Sequence, residues 1–444
     1  MRITDISVAK LFGIFDYTIP LNLDDRITII HGPNGCGKTI ILEMINGLFT
    51  GRYSGLLSVP FRRFEVRFDD DSVVWIAKAD QEFTQGQDAT GQGSKGDSPE
   101  TTLNYLKLSM ADPLSFPLNP SIDIETPRFN RASSGRLPLS FYYASLVSNE
   151  FGKSEKVDVP DWWNEVRESV DIRLIRTQRL QNIRESIKES KLYFVTDLYG
   201  EKETVAVPAV NEYAEELKEF IQQRLAESAS LSQSLDRTFP SRLVEQVRDP
   251  NRSKLTNEEL RTKLGELDKK RSRLIEAGLL DKEEGVASLP IEEITSDTKD
   301  VLAIYMKDME KKLSLFDEIA GKIDLFKKMI DRRRFLHKEI VISKEAGFMF
   351  ATQDGQTLPL TVLSSGEQHE LVLLYQLLFK ANPNSLILID EPEISLHVAW
   401  QQEFLRDLQE ITRLSSFDVL IATHSPQIIH DRWDLTVRLE GPAI

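Results

Sequence analysis

Apolar residues fall into two regimes along this chain. Toward both ends they form short runs bounded by turn residues, and in the middle they recur every third or fourth position among charges. Ile6, Val8, Leu11 and Ile14 alternate loosely, and Ile27-Thr28-Ile29-Ile30 is a β-branched run of the kind found in buried strands. The pattern predicts strand, turn, strand, strand and a glycine-rich loop, followed by a helix from Ile40 to Leu48. Phe64-Glu65-Val66-Arg67-Phe68, the turn Asp69-Asp70-Asp71 and Val73-Val74-Trp75-Ile76 predict a hairpin. Asp80 to Glu100 shifts to Gln, Gly, Ser, Thr and Asp and reads as a flexible surface loop. A helical pattern returns around Leu139 to Phe151, Val170 to Ile175 reads as a strand, and Lys191 to Val207 reads as a second hairpin.

From Ala209 to about Leu336 the chain reads as helices rich in Glu, Lys, Arg, Gln and Leu. Leu260, Leu264, Leu267 and Leu274, with Arg271 in the seam, have heptad-like spacing, as do Phe316, Ile319, Ile323, Phe326 and Ile330. Steps of three and four put each set on one helix face, which suits either a short coiled coil or an ordinary bundle. Pro240, Pro250 and Pro290 are expected to break the region into several helices. After Ala346 strands return, then a helix through Leu371 to Phe379, the apolar strand Leu386 to Ile389, a further helix, and the strand Val419 to Ala422. Such ends around such a middle predict one α/β domain interrupted by a helical insertion.

Composition narrows the setting. The 444 residues carry a net charge of −15, so a face that held nucleic acid would have to be a local patch. The single cysteine, Cys36, excludes an internal disulfide and a Cys-x-x-Cys zinc site. No apolar run approaches the ~20 residues needed to span a bilayer, and Met1 to Asp5 does not begin an apolar leader. A cytoplasmic protein without a membrane partner is expected.

The candidate chemistry starts at Gly32-Pro33-Asn34-Gly35-Cys36-Gly37-Lys38-Thr39, which fits G-x-x-x-x-G-K-[ST] between a strand and a helix. Its glycines let backbone N–H groups converge on phosphate oxygens at a helix N-terminus. Lys38 would reach the β/γ-phosphates and the Thr39 hydroxyl would ligate Mg²⁺. Cys36 occupies a variable place in the pattern. Leu386-Ile387-Leu388-Ile389 ends in Asp390-Glu391. There Asp390 would hold Mg²⁺, directly or through water, and Glu391 would orient and deprotonate an attacking water.

Leu363-Ser364-Ser365-Gly366-Glu367-Gln368 resembles the signature motif of ABC-type ATPases. Ser395-Leu396-His397 resembles their D-loop, and His424 in Thr423-His424-Ser425-Pro426 resembles their switch histidine, all in the family's order. The resemblance implies an ABC-type P-loop head, a mixed sheet with an antiparallel β lobe, interrupted by the helical or coiled-coil insertion. It implies ATP and Mg²⁺ as ligands, with Ser364, Ser365, Gly366 and Glu367 closing on ATP held by a second copy. It also places at Gln178 the glutamine that helps hold the metal, though a polar loop residue would look the same. The expected division is 1–180 and 346–444 for the two halves of the head, and 181–345 for the insertion.

About 185 residues separate Gln178 from Leu363, more as in the SMC and DNA-repair branch than in transporter ATPases. The insertion lacks the cysteines of a zinc hook and is too short for SMC arms. Leu11-Phe12-Gly13-Ile14-Phe15 and Asp390-Glu391-Pro392-Glu393 with Leu396-His397 resemble ATPases of bacterial anti-phage defence. Only 20 residues follow His424, too few for a fused Toprim nuclease, which favours the stand-alone ATPase subunits, most like that of the PARIS system and next that of Septu. That resemblance implies head-to-tail dimers within a larger homo-oligomer, a separate toxin nuclease of Toprim or HNH type, and a phage protein as trigger. The clusters Lys269-Lys270-Arg271 and Arg332-Arg333-Arg334 are either solvated helix faces or the surface for such partners. The alternative is an SMC-like repair ATPase that clamps DNA.

Overall fold

A computed structural model describes residues 1–78, 105–111, 144–147, 161–176, 193–196, 202–205, 209–248, 256–281, 296–332, 335, 338–394 and 396–440. In chain order the first elements are β1 (Ile3–Leu11), β2 (Phe15–Pro20), β3 (Ile27–His31), α1 (Lys38–Thr50), α2 (Tyr53–Ser58), β4 (Arg63–Phe68) and β5 (Val73–Lys78). Then come β6 (Tyr105–Ala111), β7 (Ala144–Val147), α3 (Asp161–Ser169), β8 (Ile172–Ile175), β9 (Tyr193–Thr196) and β10 (Lys202–Val205). The helices α4 (Ala209–Arg248), α5 (Asn257–Glu276), α6 (Ser296–Ser314) and α7 (Asp317–Arg332) follow. The last part holds β11 (Lys338–Ser343), β12 (Gly347–Thr352), β13 (Thr357–Leu358), α8 (Ser365–Tyr375), β14 (Leu386–Asp390), α9 (Val398–Ser415), β15 (Asp418–Thr423), α10 (Pro426–Ile429) and β16 (Thr436–Arg438).

The chain divides into two compact units, Met1–Thr177 with Ala381–Ile444, and Gln178–Lys380. Residues 346–380 therefore group with the insertion, whereas the sequence placed the boundary at 345/346. The reason is local: the β11–β12 hairpin packs on α4. Gly347, at φ +68°, lies so close to that helix that a Cβ would come within 1.8 Å of the Ala214 carbonyl.

In the first unit, β16, β3, β15, β14 and β8 form a five-stranded parallel sheet in that order, and β2, β1, β4, β5, β6 and β7 form an antiparallel one. This is the α/β class expected, with its antiparallel lobe. One hydrophobic cluster joins the two sheets through α1: Ile41, Leu42, Met44, Ile45, Leu48 and Phe49 meet Ile6, Phe64 and Val66 on one side and Ile30, Leu388 and Leu420 on the other. α1 is apolar on the faces it buries, while Thr39, Glu43 and Thr50 lie on its more open side. Arg167 of α3 donates to the Phe49 carbonyl at 2.8 Å near the C-terminus of α1, and the buried Trp163 donates to the Tyr53 hydroxyl at 2.8 Å. The guanidinium of Arg2 forks onto Asp418, with Nε at 2.8 Å and Nη2 at 2.6 Å, and so ties β1 to β15.

The β4–β5 hairpin and the β9–β10 hairpin both form as the patterning predicted. The helical expectation for Leu139 to Phe151 is corrected where the chain is described: Ala144–Val147 is a strand paired antiparallel with β6. A short apolar run carries no period of its own, so the free edge of β6 decides it. The Asp80–Glu100 loop lies outside the described residues.

In the second unit, α4 runs 40 residues, about 60 Å at 1.5 Å per residue, straight through Pro240. The expected break there does not occur. Arg242 donates to the Leu235 carbonyl at 2.8 Å and forks onto the buried Asp308 of α6 at 2.6 and 2.7 Å, which supports the helix across the turn that the proline weakens. The stripe Phe316, Ile319, Ile323, Phe326 and Ile330 is wholly buried. Phe326 meets Phe348 of β12 and Phe379 beyond α8, at 5.9 and 5.7 Å between ring centres. The stripe is thus a core face against a hairpin and helix. Of the basic clusters, Lys270 is engaged by Asp317 at 2.7 Å, and Arg333 and Arg334 lie outside the described residues. Among the described residues no helix is long and apolar enough to cross a membrane.

The Arg2–Asp418 fork sets a test of the first unit. Arg2→Ala leaves a carboxylate that is 5% exposed with, among the described residues, only the longer Arg26 side-chain contact at 3.5 Å. Chemical denaturation should show a loss of about 2–3 kcal/mol. Arg2→Lys should recover less than half of it, because an ammonium cannot fork.

Candidate functional site

The parallel sheet brings the chemistry together. β15 lies between β3 and β14, so the segments following all three strands open at one edge, the carboxyl end where ligands bind in parallel α/β sheets. After β3 the backbone turns through Gly35 at φ +84° and Gly37 at φ +93° into α1. No side chain replaces Gly37 cheaply, since a Cβ would lie 2.7 Å from Leu11 Cδ2 in a left-handed backbone. Gly32, Pro33, Asn34 and Cys36 complete the loop. Cys36 is buried, and Gly32 lies against the chain at Leu439, where a Cβ would meet that carbonyl at 2.7 Å. Lys38 is buried and its Nζ donates to the carbonyls of Gly32 and Pro33 at 2.9 and 3.2 Å.

Thr39 donates its hydroxyl to Asp390 Oδ1 at 3.0 Å, linking the first turn of α1 to the end of β14. Burial pushes the Asp390 carboxyl up to about 6, and repulsion from Glu391, Glu43 and Glu393 adds to the rise against the Thr39 hydrogen bond. A desolvated carboxylate among three others, touching a hydroxyl, fits a hard divalent cation. Thr39 and Asp390 would hold it, and its charge would offset the repulsion recorded in that raised value.

Glu391 leaves the strand at φ +42°, its N–H donating to the Ala422 carbonyl of β15 at 2.8 Å. That turn brings Asp390 and Glu391 to the same edge although neighbours on a strand alternate. Glu391 Oε1 stands 3.7 Å from His424 Nδ1, and Glu393 Oε1 stands 3.1 Å from the same nitrogen. The sequence reading missed Glu393, Gln401 and Thr423. Their available signal was the carboxylate two residues past Glu391, in a place where a strand has ended and solvation alone would not need it.

The Leu363–Gln368 turn belongs to the second unit. Ser364 caps α8, accepting from the Glu367 N–H at 3.3 Å while Glu367 accepts from the Ser364 N–H at 2.7 Å. Such a capping box presents Ser365 and Gly366 in the first turn, where N–H groups are unpaired within the helix. Lys338 of β11 donates to both Glu367 oxygens at 2.7 and 2.8 Å. Burial pushes Glu367 up, but Lys338 and Ser364 outweigh it and hold its carboxyl below the usual range. Leu396 is buried and His397 exposed beside Trp400, whereas Ser395 and Gln178 lie outside the described residues.

A family model described as "AAA domain, putative AbiEii toxin, Type IV TA system" matches residues 201–430, a span that takes in the Ser364 turn, β14 and His424 but begins after the phosphate loop. The chain is 31% identical over 93 residues to the Retron Ec83 probable ATPase of Escherichia coli, which covers 18% of this chain and 17% of that relative's length. Solved structures with similarity include the Smc head domain with an extended coiled coil bound to the C-terminal domain of ScpA, from Pyrococcus furiosus, at 13% identity over 96% of this chain and 91% of that one, TM-score 0.35. The SMC head domain from Thermotoga maritima gives 10% identity over 97% and 91%, TM-score 0.32.

The raised Asp390 carboxyl predicts a pH dependence. An acid whose folded value lies above its ordinary 3.8 stabilises the fold below about pH 4, and that contribution is lost as pH rises through about 6. Without metal, Asp390→Asn should therefore raise the unfolding free energy at pH 7 by about 2 kcal/mol and leave it nearly unchanged at pH 4. Denaturant midpoints at the two pH values check it.

Proposed function

The chain belongs to this AAA-domain family of AbiEii type, and from that premise we propose that it is an ATP-binding and ATP-hydrolysing subunit of a bacterial anti-phage defence system. The observation that carries the ATPase reading is the Thr39–Asp390 hydrogen bond at 3.0 Å. It couples the phosphate loop to a strand-end carboxylate pair beside a histidine. Gly32 to Thr39 cradle the triphosphate, and Lys38 exchanges its loop carbonyls for the β/γ-phosphates. Thr39, Asp390 and, in this reading, Gln178 hold Mg²⁺, which supplies charge neutralisation at the phosphates. Glu391 takes a proton from the attacking water, and His424 contacts the γ-phosphate. Ser364, Ser365, Gly366 and Glu367 of a second copy close over the nucleotide, so that two heads sandwich ATP. With Lys338 neutralising Glu367, the N–H groups of α8 face the phosphate without a bare carboxylate among them.

The defence role is supported by the family and by the similarity to the Retron Ec83 probable ATPase. The finer reading is a stand-alone cytoplasmic ATPase of the PARIS or Septu kind. In it the sandwich dimers build a larger homo-oligomer that holds a separate toxin nuclease, of Toprim or HNH type, and releases it when a phage protein is sensed. Loss of γ-phosphate contacts on hydrolysis supplies the switch.

Two measurements test this. Lys38→Ala should abolish ATP binding, while Glu391→Gln should retain ATP and release phosphate at least about 100-fold more slowly. A wild-type protein that neither binds nor hydrolyses ATP overturns the ATPase reading. For the defence role, pull-downs from the native host with wild type and Glu391→Gln, read by mass spectrometry, should recover a stoichiometric small nuclease in different amounts. Recovery of repair proteins and DNA with no toxin-like subunit overturns it in favour of a DNA clamp.

A further inference from the structure

The carboxylate of Glu393 has no part in the scheme above. It lies in the single 3-10 turn after β14 and is only 9% exposed. A buried carboxylate is costly unless donors compensate it. Two donors converge on its Oε1, the Thr423 hydroxyl at 2.8 Å and the His424 backbone N–H at 3.0 Å, and His424 Nδ1 stands beside it at 3.1 Å. Its Oε2 has no hydrogen-bond partner among the described residues. The backbone here is pinned too. Gln401 donates at 3.1 Å to the carbonyls of both Glu393 and Leu396, and its Oε1 accepts from the Ser425 hydroxyl at 3.3 Å. One carboxylate and one amide thus lock the segment after β14 to the segment after β15.

The consequence follows from imidazole chemistry. A carboxylate oxygen beside Nδ1 favours the tautomer that carries its proton there, which leaves Nε2 as the ring nitrogen for the site. The Glu391 carboxylate lies 3.7 Å from the same Nδ1, outside hydrogen-bond reach. We propose that Glu393 is a positioning residue for hydrolysis. It serves as the acceptor for Nδ1–H of His424, directs Nε2 to the γ-phosphate position, and keeps the histidine from occupying Glu391, whose carboxylate must stay open to water. Without Glu393 the carboxylate next in distance from Nδ1 is Glu391 itself, at 3.7 Å, and the pairing would block the base. The consequence for turnover rests on the ATPase reading, whereas the hold on His424 does not.

The experiment uses the full chain with ¹⁵N-labelled histidine, the His424 signals being assigned by their loss in His424→Ala. Wild type should show Nδ1 protonated, and Glu393→Ala should shift His424 to the Nε2–H tautomer or a mixture. In steady-state kinetics Glu393→Ala should lower kcat about 10- to 100-fold with KM within about twofold, since an outer-shell partner acts at this scale. Glu393→Gln, which keeps one acceptor oxygen in the same shape, should stay within about fivefold of wild type. In a His424→Ala background, Glu393→Ala should cost less than about a further twofold. Should Glu393→Ala fail to fold, Glu393→Asp replaces it in both readouts, because the charge is kept but the reach to His424 is shortened. A wild-type His424 already in the Nε2–H form, or losses that multiply in the double variant, overturns the proposal. If wild type does not hydrolyse ATP, the ATPase reading falls while the tautomer measurement still decides whether Glu393 holds His424.

Discussion

The hydrogen bond between Thr39 and Asp390 joins residues 351 positions apart in the chain, and the rest of the site depends on closing that interval. Closure is not achieved by the bond, which is worth about 1–2 kcal/mol, but by the sheet beneath it. β3 and β14 never touch. Each pairs with β15, so the strand that delivers His424 is also the spacer that sets how far the phosphate loop stands from the carboxylates. An all-parallel arrangement buried on both faces requires continuous apolar strands. Ile27–Ile30, Leu386–Ile389 and Val419–Ala422 are the stretches that meet the requirement.

Burial then imposes a charge problem. Asp390, Glu391 and Glu393 fall within four residues of one strand end, and the chain handles each differently. Asp390 is desolvated and leans on a hydroxyl, Glu393 collects two donors on one oxygen beside His424, and Glu391 is turned outward by a left-handed backbone that a glutamate adopts only at a cost of about 1–3 kcal/mol. Three identical functional groups acquire three characters from their neighbours. The capping box at Ser364 is a simpler case: Glu367 serves the helix start, and Lys338 offsets the negative charge it keeps there.

What could be read from the residues alone follows the same physics. The phosphate loop was legible because glycine, lysine and threonine at fixed spacing have few other uses between a strand and a helix. β3, β14 and β15 were legible because buried parallel strands leave no polar positions to confuse the pattern. Ala144–Val147 was misread as helical because four residues hold no period, and its strand identity is set by β6, a non-local partner. Pro240 was misread because the residue that carries the helix across it, Asp308, lies 66 positions from Arg242 in sequence. Glu393 was visible as a letter in Asp390-Glu391-Pro392-Glu393, but its donors come from β15, and no local spacing announces them.

The close approach of Gly347 to the Ala214 carbonyl bears on how such a chain can change over generations. Near that contact the backbones of α4 and β12 are in van der Waals register, so any side chain at 347 would separate them. Farther along α4, toward Arg248, the helix is held by side chains such as Arg242 and Asp308, which a paired substitution can replace. Variation in the insertion is therefore expected to accumulate away from its root. The outer helices tolerate paired exchange of such side chains, whereas the root, with the Phe326–Phe348 packing beside it, does not.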